Sequence, residues 1–160
     1  MEIIDSILRM YPILILLYAI LIQDVYLIFF LIMTIIINYI LKYKITQPLL
    51  GNKNYPIIGS GVRPKNAKNC GIFKDPPGYK NNTYGMPSNH SQQAVVFSTY
   101  MILKDLEKNT LSPLKTIIYV LLALIIMYSR IYLNCHTIQQ VIMGGVIGLI
   151  TTLIGWIYTR

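Results

Sequence analysis

Residues 25–41 read VYLIFFLIMTIIINYIL and contain no charged side chain. A helix needs about 20 mostly apolar residues to cross the hydrocarbon core of a bilayer, and the flanking residues extend this stretch to that length. Three further stretches, at 10–23, 116–129 and 137–159, are equally free of charge. Such long uncharged runs are rare in soluble helices, so they predict a chain of membrane-spanning helices.

A fifth uncharged stretch, 91–103, is shorter and more polar. It would span a membrane only beside other helices. We therefore predict an all-α integral membrane bundle that forms a single domain over residues 1–160. Its five transmembrane helices are expected at 6–23, 25–43, 90–105, 113–132 and 136–158. The first lacks a strongly basic start and a small-residue cleavage site, which argues against a cleaved signal peptide.

The basic residues are concentrated in one long polar loop, residues 44–89, and the whole chain carries a formal net charge of +8. In a soluble protein this balance would point to nucleic acid. In a membrane protein we expect the charges to face anionic lipid heads or a phosphorylated substrate, and we expect no nucleic-acid partner. Loops of this length inside a compact domain are usually functional or disordered.

Threading the five helices brings four helix ends to one membrane face. Helix two enters the long loop there, and the next helix leaves it at His90. The fourth helix returns to the same face near Arg130, and the last begins just after His136. Both histidines of the chain therefore lie close to Arg130, at the face that carries the loop.

These residue types suit the chemistry of a phosphate group. An arginine presents a planar fork of donors that matches phosphate oxygens. A helix N-terminus attracts anions through its free amides, and Ser88, Asn89 and His90 lie at such a position. Each residue also has a structural alternative: a lone histidine is often a surface or cap residue, and Ser88 can serve as a simple N-cap. An arginine at a membrane boundary, however, is costly unless it is paired or used.

Two short motifs resemble those of the type 2 phosphatidic acid phosphatase superfamily. Residues 84–92 read YGMPSNHSQ, and residues 129–140 read SRIYLNCHTIQQ. They are similar to the family patterns Pro-Ser-Gly-His and Ser-Arg-x5-His-x3-Asp. Within the superfamily, the Tyr-Gly-Met-Pro-Ser-x-His-Ser-Gln run and His-Thr-x-x-Gln most resemble the dolichyldiphosphatase branch. The resemblance covers about residues 35–150.

The first family motif, Lys-x6-Arg-Pro, is interrupted. Arg63-Pro64 matches its end, but Pro56 stands where the lysine belongs. A split match begins at Lys42 and resumes at Arg63 after an insert at 49–62. We therefore prefer Lys42 to Lys53 as the phosphate-binding lysine.

The resemblance implies a mechanism and roles for these residues. His136 would attack the terminal phosphorus and form a phosphohistidine, and His90 would protonate the leaving oxygen. The phosphoryl oxygens would be held by Lys42, Arg63, Ser88, Asn89 and Arg130. No metal or other cofactor is implied. Gln140 replaces the family aspartate and would orient His136 without adding charge. We expect Gln140→Asp to preserve or raise activity, because a carboxylate can hold the same N–H and stabilise a charged imidazole.

The implied activity is hydrolysis of a polyprenyl diphosphate, such as dolichyl diphosphate, in the endoplasmic reticulum membrane with a lumen-facing site. The alternatives are a broader lipid phosphate phosphatase that acts on phosphatidate, and a non-catalytic membrane protein that retains the fold. The count of basic residues instead places the loop on the inner side. Asn81 begins a glycosylation sequon, as a lumenal loop would allow.

Two further features leave alternatives open. Gly144 and Gly148 share one helix face, which favours close packing within the bundle; a homodimer face is the lesser alternative. Cys70 and Cys135 match no metal spacing and are expected as free thiols, or as a disulfide if their side of the membrane is oxidising.

Overall fold

The structure, a computed structural model, describes residues 2–76 and 83–159. Five long helical stretches confirm the all-α membrane bundle. Asn81 and Asn82 of the sequon lie outside the described residues. The elements in chain order are α1 (Glu2–Leu21), α2 (Val25–Ile40) with a π-helical continuation (Leu41–Thr46), α3 (Gln47–Leu50), β1 (Asn54–Tyr55), β2 (Gly59–Ser60), α4 (Asn89–Glu107), α5 (Pro113–Tyr132) and α6 (Ile138–Thr159).

The most polar helix, α4, lies at the centre of the bundle. It packs most extensively against α6 and α5, and then against α2. Its buried residues include Ser91, Gln92 and Gln93 beside apolar side chains such as Ala94 and Val96. The other four helical stretches, counting Val25–Leu50 as one, are long and apolar enough to cross a membrane. The fifth predicted helix therefore exists, surrounded by the other four.

The second helix is longer than the sequence predicts. We expected it to end at residue 43, with the polar loop beginning at 44, but the chain stays helical to Leu50. Leu41–Thr46 adopts a π-helical turn, and α3 continues directly from it with Pro48 in its first turn. The loop therefore begins at Gly51, and the insert at 49–62 contains the two-stranded β1–β2 hairpin.

The glycines of α6 allow it to touch α4 directly. A Cβ atom on Gly144 would lie 2.4 Å from the carbonyl oxygen of Ser88, and one on Gly148 would lie 2.5 Å from that of Gln92. Backbone atoms of the same chain thus cover this face. The two glycines therefore allow the close packing within the bundle that their spacing favours.

A part-buried ion pair lies at the membrane face opposite the loop. Asp24, between α1 and α2, accepts a hydrogen bond from the hydroxyl of Tyr100 at 2.7 Å and pairs with Lys104 of α4. Burial alone would raise the pKa of Asp24, but these bonds and the amide of Leu27 lower it below its usual value. The cluster anchors the far end of α4 to the α1–α2 turn.

A disulfide ties the long loop to the start of α6. Cys70 and Cys135 are bonded, with their Cα atoms 5.4 Å apart. Of the two alternatives left open by the sequence, the structure thus contains the bonded one. The bond fixes residues 61–76 over the helix ends and therefore forms one wall of the site.

Candidate active site

The predicted residues converge at one face of the bundle. The π-helical turn supplies Lys42, the loop supplies Arg63, α4 supplies His90 and the end of α5 supplies Arg130. His136 lies in the short connection between α5 and α6. All but Arg63 are more than nine-tenths buried. The helix ends therefore bring together two histidines and three cations from distant parts of the chain.

Gln140 fixes the tautomer of His136. Its side-chain nitrogen donates to the carbonyl oxygens of Ser60 and Val62, at 2.8 and 2.7 Å. These two acceptors set the orientation of the amide, so its oxygen must face His136. That oxygen accepts the Nδ1–H of His136 at 3.0 Å. The proton therefore resides on Nδ1, and the lone pair of the imidazole is on Nε2.

Arg63 contacts the same lone pair. Its Nη1 lies 2.9 Å from Nε2 of His136 and also donates to the carbonyl oxygen of Cys135 at 2.9 Å. Since an arginine can only donate, Nε2 must accept, which agrees with the tautomer set by Gln140. Its Nε donates to the hydroxyl of Thr83 at 2.8 Å. An incoming anion would have to draw Nη1 away before Nε2 could react.

Arg130 is fully buried yet only partly bonded. Its Nη2 donates to the carbonyl oxygen of Cys70 at 2.8 Å. Its Nε and Nη1 have no hydrogen-bond partner within the described part of the chain. A buried donor without a partner is costly, and a charged one especially so. The Nε–H and Nη1–H donors can serve the oxygens of a bound anion.

The structure separates the two candidate lysines of the first motif. Lys42 is buried on the π-helical turn and borders the same cavity as Arg63 and His90. Lys53 is exposed in the turn before β1. The widened turn around Lys42 is stabilised by the hydroxyl of Thr46, which donates to the carbonyl oxygens of Lys42 and Met86. The doubled-back insert thus places Arg63 and Lys42 at one cavity.

The three predicted residues at the start of α4, Ser88, Asn89 and His90, make different contacts. The oxygen of Ser88 caps the helix, and its amide donates to the carbonyl oxygen of Gln140 at 3.1 Å. Its amide is therefore not free for an anion, contrary to the expectation from the sequence. Asn89 and His90 border the cavity, and Asn89 Oδ1 has no partner among the described residues. His90 Nε2 lies 2.9 Å from the carbonyl oxygen of Arg9 and so carries a proton.

The environment of His136 opposes a positive charge on its ring. Burial lowers the pKa of His136 well below the usual range, and the nearby charges of Arg63, Arg130 and Lys42 lower it further. The bond to Gln140 acts in the opposite direction but is the smaller effect. His136 is therefore neutral at physiological pH, and its Nε2 lone pair accepts from Nη1 of Arg63.

A cavity joins part of this cluster, at Lys42, Arg63 and His90, to the lipid-facing side of α2. Its volume is about 370 Å³, and it runs from Lys42, Arg63 and His90 to Ile35 and Tyr39. Ile35 and Tyr39 are exposed on the outer surface of a membrane-spanning helix. A molecule with an anionic head and an apolar tail could place its head among the cations and leave its tail in the bilayer.

Sequence reasoning missed two contributions to this site. Arg9 of α1 is buried and touches His90 through its backbone, and a signal existed, since a charge inside an apolar span is unusual. The carbonyl groups of Cys70 and Cys135, which hold the two arginines, had no signal, because any residue has a carbonyl. Within residues 2–76 and 83–159, no three His, Cys, Asp or Glu residues are grouped as metal ligands.

The fold and the site define an integral membrane helical bundle whose helix ends form a buried cationic pocket around two histidines. The family model of the PAP2 superfamily matches residues 23–160, and the chain belongs to that superfamily. This confirms the resemblance found in the two motifs. No solved structure matches the chain.

Several curated relatives carry dolichyldiphosphatase names. Dolichyldiphosphatase 1 of Dictyostelium discoideum is 36% identical over 76 residues, which cover 44% of this chain and 33% of the relative. The human protein of that name is 34% identical over 88 residues, which cover 48% of this chain and 37% of the relative. The Rhinolophus ferrumequinum protein of the same name is 27% identical over 135 residues, which cover 78% of this chain and 48% of the relative. The matches span less than half the length of each of these relatives.

Proposed function

We propose that this chain is a membrane phosphatase that hydrolyses a polyprenyl diphosphate of the dolichyl type to its monophosphate. The observation that carries the proposal is the state of His136: a neutral ring, with its proton held on Nδ1 and its lone pair on Nε2 among three cations. Family membership and the names of the relatives support the reaction class. The cavity that reaches the lipid-facing side of α2 supports a substrate with a long apolar tail.

The proposed reaction has two steps. The Nε2 lone pair of His136 attacks the terminal phosphorus, and the bond from phosphorus to the bridging oxygen breaks. The bridging oxygen takes that electron pair and receives the Nδ1 proton of a protonated His90, whose Nε2–H stays bonded to the carbonyl oxygen of Arg9; His90 becomes neutral and the prenyl monophosphate leaves. A water molecule then gives a proton to His90 and attacks the phosphohistidine, so that inorganic phosphate leaves and Nε2 regains its lone pair.

The cations would stabilise the charge that develops on the transferred phosphoryl group. Arg130 offers two nitrogens, Nε and Nη1, that have no partner in the described part of the chain, and Lys42 adds a buried ammonium. Arg63 would leave Nε2 of His136 for a phosphoryl oxygen when the substrate binds. Asn89 would contribute through its side-chain amide, and Ser88 through the cap that holds α4 in place. None of these steps requires a metal ion.

The disulfide supports a site on an oxidising side of the membrane, because such bonds persist in the lumen of the secretory pathway or outside the cell. This favours the lumenal face over the inner face that the count of basic residues indicates. The proposed location is therefore the endoplasmic reticulum membrane, with the site facing the lumen.

The test is phosphate release by the purified full chain in detergent, with EDTA present. The substrates are a prenyl diphosphate, a prenyl monophosphate and phosphatidate. We expect the diphosphate to be preferred, and we expect His136→Gln to abolish both turnover and acid-labile labelling from a terminally labelled substrate. His90→Gln should still be labelled, but slowly, since only the acid is lost.

Three outcomes would contradict the proposal. Loss of activity in chelator, with recovery when a divalent ion is added, would contradict the metal-independent mechanism. A preference for phosphatidate would indicate a broader lipid phosphatase. A folded chain with no turnover on any substrate would indicate a non-catalytic member of the superfamily.

A further inference from the structure

The insert at 49–62 exposes an apolar tip. Its hairpin turn, between β1 and β2, reads Pro56-Ile57-Ile58. Ile57 is 89% exposed and Ile58 is 41% exposed. Turns that face water are usually built from Gly, Pro, Asn, Asp or Ser, because those residues suit both the bend and the solvent. Two adjacent exposed isoleucines at a turn instead indicate contact with an apolar partner.

Followed back from the site, β2 leads to the edge of the bundle. The carbonyl oxygens of Ser60 and Val62 accept from the side chain of Gln140, which is fully buried. One step outward, Gly59 lies against Gln139: a Cβ atom on this glycine would be 3.0 Å from Cδ of Gln139. Gln139 is exposed on the outer surface of α6. The tip continues outward from Gly59, so it lies beyond the edge of the bundle and not above its centre.

The tip also lies at the level where the lipid begins. The span formed by α6 has 22 residues, and it is roughly 33 Å long at the rise of an α-helix, close to the thickness of the hydrocarbon core. Its first turn, which Gly59 touches, is therefore at the boundary between the hydrocarbon and the lipid head groups. Ile138 and Ile142, on either side of Gln139, are exposed and face lipid. The tip thus overhangs the bilayer next to a surface that already contacts lipid.

The composition of the insert suits this position. Its single charged residue is Lys53, and it contains no acid. Nothing in the insert therefore repels the anionic lipids that a basic residue near the surface attracts. Tyr55 precedes the tip, and tyrosine is enriched at the boundary between a membrane and water. Tyr55 pairs with Gly59 across the hairpin, which holds the two ends of the turn together.

We propose that the hairpin tip, residues 56–58, inserts among the lipid head groups beside the start of α6 and anchors the insert to the bilayer. The partner is the lipid surface, and the proposal does not depend on the proposed reaction. The same insert supplies the carbonyl oxygens of Ser60 and Val62 that orient Gln140. Anchoring the tip therefore holds one wall of the site in place from outside the bundle.

The first test places an environment-sensitive fluorophore on the full chain in lipid vesicles. Because the two native cysteines are bonded to each other, Ile57→Cys provides a single free thiol. Asn52→Cys is the matched control, at an exposed position at the base of the hairpin. Lipids that carry a nitroxide near the head group should quench the probe at 57 at least about twofold more strongly than the probe at 52, and aqueous iodide should do the reverse.

Two results of this test would overturn the proposal. Equal quenching of both probes by iodide, with none by the lipid, would place the tip in water. Protection from iodide without quenching by lipid, lost when the protein is diluted into excess lipid, would place the tip against a second copy of the chain.

A second test needs no fluorophore. Ile57→Asp and Asn52→Asp add the same charge at the tip and at the base of the hairpin. In vesicles, Ile57→Asp should speed hydrogen exchange of the hairpin amides by about 10-fold, because a carboxylate is costly in lipid and a displaced hairpin opens more often. Asn52→Asp should change the exchange rate by less than about twofold. Equal rates in the two variants would overturn the proposal. Neither test measures turnover, so an inactive chain that passes both would lose the proposed function but keep the anchor.

Discussion

The side-chain oxygen of Gln140 lies 3.0 Å from Nδ1 of His136, while the nitrogen of the same amide is bonded to the carbonyl groups of Ser60 and Val62. The backbone oxygen of Gln140 also accepts the amide of Ser88. One residue of α6 therefore links the loop, the start of α4 and the segment that carries His136. The amide has a donor and an acceptor, and this position uses both.

Gln140→Glu should lower activity although the two side chains have the same shape. One carboxylate oxygen can accept the Nδ1–H, but the other would face two carbonyl oxygens and lose two hydrogen bonds. We expect a loss of about 10-fold or more in kcat, from about 1–3 kcal/mol for the unsatisfied groups. The same reasoning reverses the expectation from the sequence that Gln140→Asp preserves activity.

The control for that prediction is Gln139→Glu, which adds the same charge at an exposed neighbouring position. Because Gln140 acts through His136, the ring itself must be measured as well as the rate. The ¹⁵N spectrum of labelled histidine should show that the proton leaves Nδ1 in Gln140→Leu. A folded Leu variant with the wild-type tautomer and rate would refute the orienting role.

The protonation of His136 gives a prediction about pH. The pKa of His136 is lowered by burial and then by its cationic neighbours, so the ring should stay neutral as the pH falls through about 6.5, the ordinary value. The chain has only two histidines, so ¹⁵N spectra of the labelled protein give two rings, and His136→Gln assigns them. Arg63→Gln should raise the pKa by removing one cation. Titration of the wild-type ring between pH 6 and 7 would contradict this.

The two lysines of the interrupted motif should behave differently. Lys42→Gln should lower kcat/KM by about 10- to 100-fold, because Lys42 is buried beside the cavity and its charge would face the phosphoryl group. Lys53→Gln is the matched control, and a surface substitution of this kind should change the rate by about twofold at most. The measurement is the rate of phosphate release by both variants under the same conditions, which shows which lysine supports catalysis. A larger loss of activity for Lys53→Gln than for Lys42→Gln would show that the lysine of the first motif is Lys53, within the insert.

The disulfide should support both stability and activity. It links residues 65 positions apart, and closing such a loop stabilises a fold by about 2–4 kcal/mol. It also positions the carbonyl groups of Cys70 and Cys135, which hold Arg130 and Arg63. Reduction should therefore lower the melting temperature and the rate of the wild-type chain. The Cys70→Ser/Cys135→Ser variant should already show both losses, and a further response of this variant to reductant would contradict the assignment.

The contact between α6 and α4 should be sensitive to one methyl group. In Gly144→Ala the new Cβ would meet the backbone of Ser88 at 2.4 Å, so the helices must separate, at a cost of about 1–3 kcal/mol. In Gly145→Ala it would meet Met127 Cε at 3.0 Å, and that flexible side chain can move away. Thermal melts of the two variants should differ accordingly. Equal melting temperatures would show that α4 and α6 do not touch at Gly144.

The sequence by itself determined the bundle and most of the site. Long uncharged stretches can lie only in lipid or in a core, so the spans follow from hydropathy, and helix ends that alternate between faces must bring His90, Arg130 and His136 together. The end of the second helix could not be read in this way. Lys44 and the polar residues after it indicate a loop, but the π-helical turn buries Lys42 and exposes Lys44, and the chain stays helical to Leu50.

Tertiary structure alone decided the contacts that depend on precise distances. The pairing of Cys70 with Cys135, the two carbonyl groups that orient the Gln140 amide, and the contact of Arg9 with His90 all join positions distant in sequence. Periodicity reports which face of a helix is apolar, but it does not report which loop crosses that face. These contacts arise because a closely packed bundle leaves each buried polar group only a few partners within reach.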